Sequence, residues 1–227
     1  MNHRNILVFD LDYTICKDTI SNKNVDKFLN MLTDHLGPYG SVYVVTARRQ
    51  IEDGEKMTLH ELLSAHVNKK IVNFLIEYNK RQQRSLEDWF YYNRHEDDII
   101  PAVEKVMRQR GVLNLINRTI PKDDEDDDPE SRKMTYYMGI IKMLQLEDII
   151  QKELKYEVPI YLQFFDDSEY NFHAFRVFVE VLKNQLITQF VHFKGGTGEP
   201  VFGGKPVNSY HPQIGMFSME QMPAWHI

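Results

Sequence analysis

The stretch Ile-Leu-Val-Phe-Asp-Leu-Asp-Tyr-Thr, residues 6–14, predicts a buried strand that ends in a turn carrying two aspartates. Four apolar residues precede Asp10, and Asp12 follows it after a single leucine. Two carboxylates this close repel each other, so the fold must compensate them with a cation, hydrogen-bond donors, water or a proton. The pattern therefore indicates a Mg²⁺ site with phosphoryl chemistry. A hydrophilic turn after an ordinary strand is the alternative, because short motifs also match by chance.

Two further apolar runs end in polar residues. Residues 42–45 lead into Thr46-Ala47-Arg48, and residues 160–165 lead into Asp166-Asp167-Ser168. Continuous apolar runs of this length fit strands that are buried on both faces of a parallel sheet, with helices between them. In such sheets ligands bind beyond the carboxyl ends of the strands. We therefore predict an α/β fold with a mainly parallel sheet, in which the polar residues after these strands converge on one crevice.

The order of these short motifs resembles a known family. Phe-Asp-Leu-Asp-Tyr-Thr at 9–14, Val-Val-Thr-Ala-Arg at 44–48, a later lysine and Phe-Phe-Asp-Asp-Ser at 164–168 are similar to the motifs of the haloacid dehalogenase-like (HAD) phosphatases. The resemblance covers residues from about 5 to 193. It implies a three-layer, Rossmann-like core. The chain departs from the family at Tyr13, where glycine is usual, and no signature fixes the lysine.

The resemblance also implies a role for each motif residue. Asp10 would be the nucleophile that forms an aspartyl-phosphate, and Asp12 would protonate the leaving oxygen and then deprotonate the attacking water. Thr46 would donate a hydrogen bond to a phosphoryl oxygen, although strand-end hydroxyls also cap helices. Asp166 and Asp167 would complete a Mg²⁺ site with Asp10 and the main-chain carbonyl of Asp12. An Asp-Asp-Ser triplet also caps helices, and the two roles are compatible.

By the same resemblance, the phosphate-binding lysine is expected near the start of the helix that precedes the last catalytic strand. Residues 134–154 carry apolar side chains at near-helical spacing, and Lys133 lies where this helix opens. Lys133 is therefore the first choice, and Arg132 and Lys142 are the alternatives. Lys142 lies about two and a half turns further along the same helix. A solvated surface charge is the competing interpretation of each residue.

A long segment separates the second and third motifs. We interpret residues from about 52 to 118 as a helical insertion that partly caps the site, and in the resembled family such insertions select the substrate. Residues 59–82 have the apolar spacing of one amphipathic helix. The aromatic cluster Trp89-Phe90-Tyr91-Tyr92 follows it. Core packing explains such a cluster, and base stacking on single-stranded nucleic acid is the functional alternative.

Composition limits the class of protein. A chain of 227 residues with 42% apolar and 26% charged residues fits one globular domain, placed at residues 1–193 and followed by a Gly/Pro-rich tail at 194–227. No apolar segment approaches the ~20 residues of a membrane span and no secretory leader is seen, so we expect a cytoplasmic protein. The net charge of −6 argues against a dominant attraction to nucleic acid, but not against a local basic groove. Much of the acid lies in residues 122–130, which we predict to be a loop.

These interpretations lead to one expected function. We predict a Mg²⁺-dependent phosphomonoester hydrolase that acts on a phosphorylated substrate through an aspartyl-phosphate. Residues 165–176 more loosely resemble the final motif of polynucleotide 3′-phosphatases and related RNA-repair HAD domains, which makes a nucleic-acid 3′-phosphate end the leading substrate. The alternatives are a phosphatase for nucleotide or sugar phosphates, a phosphotransferase with an acceptor other than water, and a HAD-like protein that binds phosphorylated ligands without turnover.

Overall fold

The computed structural model describes most of the chain as alternating strands and helices. The described residues are 4–37, 39–52, 54–94, 98–120, 128–156, 158, 160–182, 186–192, 206–211 and 215–217. Their strands are β1 (Arg4–Asp10), β2 (Ser41–Arg49), β3 (Ile51–Glu52), β4 (Glu55–Lys56), β5 (Phe90–Asn93), β6 (Ile160–Asp166), β7 (Leu186–His192), β8 (Pro206–His211) and β9 (Gly215–Phe217). Their helices are α1 (Val25–Leu36), α2 (Leu59–His66), α3 (Lys69–Arg81), α4 (Ile99–Gln109), α5 (Leu113–Arg118), α6 (Pro129–Leu154) and α7 (Glu169–Leu182).

Seven strands form one sheet in the order β5-β2-β1-β6-β7-β8-β9. Every neighbouring pair from β5 to β7 is parallel, whereas β8 and β9 are antiparallel. The chain begins at β1, extends the sheet on one side through β2 and β5, and then crosses to the other side of β1 with β6 and β7. This reversal creates a topological switch point between β1 and β6, where open α/β sheets bind ligands. The predicted α/β fold with a mainly parallel sheet is confirmed.

Ring contacts show that helices cover both faces of the sheet. Phe9 of β1 and Phe165 of β6 are paired in register, and their rings stack with centroids 4.6 Å apart. On that face the Phe9 ring also meets Phe28 of α1, at 5.7 Å. Phe164 points to the opposite face because side chains alternate along a strand. There its ring lies 6.1 Å from that of Phe175 on α7, so α1 and α7 form layers on opposite sides of the sheet.

Much of the segment expected to be a helical insertion, residues 52–118, extends the sheet instead. β5 pairs in parallel with β2, with Phe90 opposite Val44, so the chain from α2 to β5 is a strand-and-helix unit of the sheet. The single helix predicted over residues 59–82 is also corrected to two helices. The break falls at Val67, which pairs with Cys16, and at Asn68, whose side chain accepts a hydrogen bond from the α3 backbone. A capping asparagine favours a new helix start over continuation.

Two regions defined by composition fall only partly within the described residues. Residues 122–127 of the predicted acidic loop at 122–130 lie outside the described residues. Asp128 caps α6, because its side chain accepts a hydrogen bond from Ser131 N. The tail at 194–227 is described only in β8 and β9, which add to the sheet beyond β7. Among the described helices, none combines the length and the apolar content needed to cross a membrane.

Candidate active site

Two aspartates lie together because the strands that carry them are neighbours. Asp10 ends β1 and Asp166 ends β6, and the two strands run in parallel from Arg4 opposite Ile160. Their carboxyl ends therefore emerge side by side at the switch point, which is the position that this topology reserves for ligands. Both aspartates are buried, with exposed fractions of 1% for Asp10 and 0% for Asp166. Buried carboxylates require a charged or hydrogen-bonded partner.

Lys142 of α6 supplies that partner. Its Nζ lies 2.8 Å from Asp10 Oδ1 and 3.0 Å from Asp166 Oδ2, and the lysine is itself buried. Burial raises the pKa of Asp10 well above its ordinary value, although the charge of Lys142 acts in the opposite direction. Burial also acts to lower the pKa of Lys142, but the charges of Asp10 and Asp166 outweigh it and raise that pKa. The lysine therefore remains a cation between the two strand ends.

The carboxylate of Asp166 is held on its other side by the start of α7. Asp166 Oδ1 accepts hydrogen bonds from Ser168 N at 2.9 Å and from Asn171 Nδ2 at 2.7 Å. Asn171 reaches this position because α6 and α7 approach closely at Gly139. A Cβ on Gly139 would lie 2.5 Å from Asn171 Oδ1 and 3.1 Å from Ala174 Cβ. The glycine thus leaves room for the side chain that orients Asp166.

Asp167 joins the same carboxylate cluster. Asp10, Asp166 and Asp167 each offer an oxygen, and these oxygens lie within 4.8 Å of one another. Burial, followed by the charge of Asp166, raises the pKa of Asp167 to about 6. The cluster could therefore hold a metal ion. Its carboxylates ionise more readily when a cation lies between them than when they face one another alone.

The donor set fits Mg²⁺. This ion takes hard oxygen ligands at about 2.0–2.1 Å in octahedral geometry, which places ligand oxygens about 3–4 Å apart, within the limit of 4.8 Å that the cluster meets. When all are ionised, three carboxylates face the single positive charge of Lys142, so a divalent cation would neutralise the excess. The carboxylate of Asp12 is not part of this cluster, because it is occupied elsewhere. Its expected metal contact is through the main-chain carbonyl.

Asp12 lies at the open side of the site and contacts β2. Its Oδ1 accepts a hydrogen bond from Arg48 Nε at 2.7 Å, and its Oδ2 lies 3.4 Å from Thr46 Oγ1. Thr46 is fully buried and its Oγ1 also accepts a hydrogen bond from Arg48 N, while its main-chain oxygen accepts one from Gln145 of α6. Helix capping by Thr46 does not apply, because β2 continues to Arg49. The second predicted motif therefore meets the first, as the sequence indicates.

Lys133, the first choice for the phosphate-binding lysine, lies elsewhere. Its Nζ contacts Glu104 Oε1 at 2.6 Å and lies 5.3 Å from the centre of the Tyr137 ring. Lys142 lies nine positions further along the helix, a rise of about 13.5 Å. Of the three cations considered, it is Lys142 that faces Asp10 and Asp166. The choice is corrected because the α6 face that meets the strand ends, rather than the α6 start, decides which lysine reaches the site.

Sequence reasoning also assigned no role to Gln145 or Gly139 and used Asn171 only as part of a motif. A signal for Lys142 was available: it interrupts the apolar run Ile140-Ile141 and Met143-Leu144, and a charge in such a run must be paired when it is buried. No comparable signal marks Gly139, because its importance depends on the distance between two helices.

The aromatic cluster after α3 belongs to the core. Trp89, Phe90 and Tyr91 are buried, with exposed fractions of 1%, 0% and 7%, and Tyr91 donates a hydrogen bond to Asp148 of α6. Buried rings cannot stack on bases, so core packing is confirmed as the role of these three residues. The fourth residue of the cluster, Tyr92, is half-buried, and the guanidinium of Arg94 lies 5.5 Å from the centre of its ring.

Comparison with models of known protein families gave no match, and neither curated proteins nor solved structures matched the chain. The resemblance to HAD phosphatases therefore depends on the motif residues named above and on their arrangement.

Proposed function

We propose that the chain is a Mg²⁺-dependent phosphomonoester hydrolase of the HAD-like type, with Asp10 as its nucleophile. The observation that carries this proposal is Lys142, buried between Asp10 and Asp166 at the switch point of the sheet. A hydrophilic turn after an ordinary strand would face water and would require no buried cation. Burying a lysine and two carboxylates is costly in stability, and such clusters occur preferentially where chemistry or ligand binding requires them.

The reaction would proceed in two displacements. A carboxylate oxygen of Asp10 attacks phosphorus, the bond from phosphorus to the ester oxygen breaks, and the departing oxygen takes a proton from Asp12. A water oxygen then attacks the phosphorus of the aspartyl-phosphate and gives its proton to Asp12. The bond between phosphorus and Asp10 breaks, which releases inorganic phosphate and restores both aspartates.

The remaining residues would bind and orient the phosphoryl group. Lys142 provides a fixed positive charge beside Asp10, and the hydroxyl of Thr46 lies 3.4 Å from Asp12 Oδ2. A Mg²⁺ ion held by Asp10, Asp166 and Asp167 would neutralise phosphoryl oxygens and reduce their repulsion of the nucleophile. The hydrogen bonds from Ser168 and Asn171 would keep the Asp166 carboxylate in place when substrate binds and phosphate leaves.

Hydrolysis of p-nitrophenyl phosphate with and without Mg²⁺ tests this proposal. We expect Mg²⁺-dependent release of nitrophenol, and a loss of roughly thousandfold or more in kcat for Asp10→Asn, which removes the nucleophile but keeps the shape. Asp18→Asn is the matched control, because Asp18 is an exposed aspartate of the same segment. Equal rates for the two variants would refute the role of Asp10.

The same assay separates the other functional classes. Release of nitrophenol without a matching amount of inorganic phosphate, when glycerol is added as an acceptor, would indicate phosphoryl transfer. Binding of phosphate without any turnover in the presence of Mg²⁺ would indicate a ligand-binding protein. Activity on 3′-phosphorylated oligonucleotides, compared with nucleotide and sugar phosphates, addresses the substrate hypotheses.

A further inference from the structure

Tyr13 adopts a backbone conformation that tyrosine normally avoids. Its φ is +52° with ψ at 2°, within the left-handed region that favours glycine. Its side chain is 68% exposed, so the strain is not offset by burial of the ring. Strain of this kind persists where the surrounding fold imposes it, and it concentrates at functional sites.

The turn that carries Tyr13 presents two residues to solvent. Along Leu11–Ile15, the side chains of Leu11, Thr14 and Ile15 are buried, whereas Asp12 is half-buried and Tyr13 is exposed. The buried residues fix the turn, and the exposed Tyr13 directly follows Asp12, the proposed proton donor. In the described part of the chain, no residue stacks on the Tyr13 ring or hydrogen-bonds its hydroxyl.

The proposed reaction determines which part of the substrate lies beside Tyr13. The leaving group departs on the side of Asp12, because Asp12 gives a proton to the departing oxygen. Tyr13 is the next residue, with its Cα about 3.8 Å from that of Asp12. The guanidinium of Arg48 is also partly exposed here and contacts Asp12. A leaving group that departs beside Asp12 is therefore next to a residue with an exposed aromatic ring, and an aromatic ring and a guanidinium both stack on nucleobases.

We infer that Tyr13 is a specificity-determining residue whose ring stacks on a nucleobase in the leaving group of the substrate. The inference rests on the proposed function and deepens it by naming the substrate class as nucleotide phosphomonoesters. Among the described residues, Trp89, Phe90 and Tyr91 are buried, and the exposed Tyr156 precedes β6 and so lies near the amino ends of the strands. Tyr39 is exposed, but it precedes β2 and so lies near the amino ends of the strands, away from the site.

Substrate discrimination by Tyr13→Gly tests the inference. The substrates are a nucleoside 3′-monophosphate, a 3′-phosphorylated oligonucleotide and glycerol phosphate, which has no ring. We expect the ratio of kcat/KM for the mononucleotide to that for glycerol phosphate to fall about five- to hundredfold, the range of a lost base stack. Tyr13→Phe keeps the ring and should keep the ratio. A larger loss for the oligonucleotide than for the mononucleotide would identify nucleic-acid ends as the source of the base.

The control variant and the melting temperature distinguish recognition from unfolding. Tyr39→Gly removes an equally exposed tyrosine and should leave all three rates unchanged. Tyr13→Gly should melt at the same or a higher temperature, because glycine adopts this φ without strain. A Tyr13→Gly variant with an unchanged ratio, or with equal losses on the ring-bearing and ring-free substrates, would overturn the inference.

A failure of the proposed function has a different signature. If the wild-type chain hydrolyses neither p-nitrophenyl phosphate nor any of the three substrates, the proposed hydrolysis is refuted, and binding measurements then test the role of Tyr13. Isothermal titration then compares the Asp10→Asn protein with the Asp10→Asn/Tyr13→Gly double variant. The double variant should bind the mononucleotide more weakly and glycerol phosphate equally well. Equal binding with and without the ring would overturn the inference independently of turnover.

Discussion

Lys142 Nζ lies 2.8 Å from Asp10 Oδ1, and the two side chains are buried together although they are far apart in the sequence. The contact joins the end of β1 to the middle of α6, at the point where the strand order of the sheet reverses. The contact therefore links β1 to α6, and its lysine supplies the positive charge of the candidate site. Its contribution to the free energy of unfolding depends on whether a metal ion or a proton also neutralises the buried carboxylates.

Replacement of Lys142 by methionine should destabilise the metal-free protein strongly. Asp10 and Asp166 would then be buried without a counter-charge, a change that typically costs about 3–5 kcal/mol. Urea unfolding measures the loss. Lys133→Met is the matched control on the same helix, because the pair of Lys133 with Glu104 is partly exposed and should contribute about 1 kcal/mol or less. Equal losses for the two variants would contradict the assignment of Lys142.

Binding of Mg²⁺ should depend on the carboxylate cluster and not on the carboxylate of Asp12. We expect Asp166→Asn to weaken Mg²⁺ binding by about tenfold or more, because it removes a hard, charged ligand. Asp12→Asn should bind nearly as the wild type does, since its main-chain carbonyl is retained and its side chain lies outside the cluster. Isothermal titration gives both affinities, and the rise of Tm with Mg²⁺ concentration gives an independent check. Equal weakening in the two variants would show that the cluster is misassigned.

The contribution of Asp167 to the stability of the metal-free protein should fall as the pH rises from about 4 to about 6. The pKa of Asp167 is about 6 in the folded chain, above the ~3.9 of an unperturbed aspartate. The folded state therefore binds this proton more tightly than the unfolded state does. The resulting stability is fully present below the unfolded pKa and is lost as the pH rises through the folded pKa.

Urea unfolding across this pH window checks the contribution of Asp167. Asp167→Asn should flatten the decline, and part of it should remain because burial also raises the pKa of Asp10. Asp18→Asn, an exposed aspartate, should leave the slope unchanged. Saturating Mg²⁺ should reverse the trend, since the ion binds the ionised carboxylates. A slope identical in the wild type and in Asp167→Asn would contradict the assigned cause.

The close approach of α6 and α7 should make Gly139→Ala destabilising. The added methyl would meet Asn171 Oδ1 at 2.5 Å, and overpacking of this kind costs about 1–3 kcal/mol. It should also reduce turnover, because Asn171 would be displaced from Asp166. In an Asn171→Ala background the same substitution should cost less, so a double-mutant cycle would reveal the coupling. Additive effects in that cycle would indicate that the two residues do not interact.

The meeting of Asp10, Thr46 and Asp166 could be predicted from sequence because each follows an apolar run. In a parallel sheet, the ends of such runs share one edge, so strand assignment alone brings the motifs together. The same reasoning fails for Lys133 and Lys142. Both lie on α6, and only the packing of that helix against β2 decides which of them turns toward the strand ends.

Two further features depend on tertiary contacts that local patterns do not record. The short strand β5 is a run of aromatic residues, which fits a core cluster as well as a strand until its pairing with β2 is known. Asn171 and Gly139 lie on separate helices, and no sequence pattern around either residue predicts that the two are in contact. Tyr13 differs: the sequence shows a tyrosine where the resembled family usually has glycine, but it does not show the left-handed backbone or the exposure of this residue.

The most direct test of the central claim is identification of the covalent intermediate. The protein is quenched during turnover of p-nitrophenyl phosphate with Mg²⁺, reduced with borohydride and analysed by peptide mass spectrometry. Reduction converts an aspartyl-phosphate to homoserine, so the account predicts homoserine at position 10 and unmodified aspartate at position 12. Sustained phosphate release with unmodified Asp10, or homoserine at another aspartate, would contradict the account.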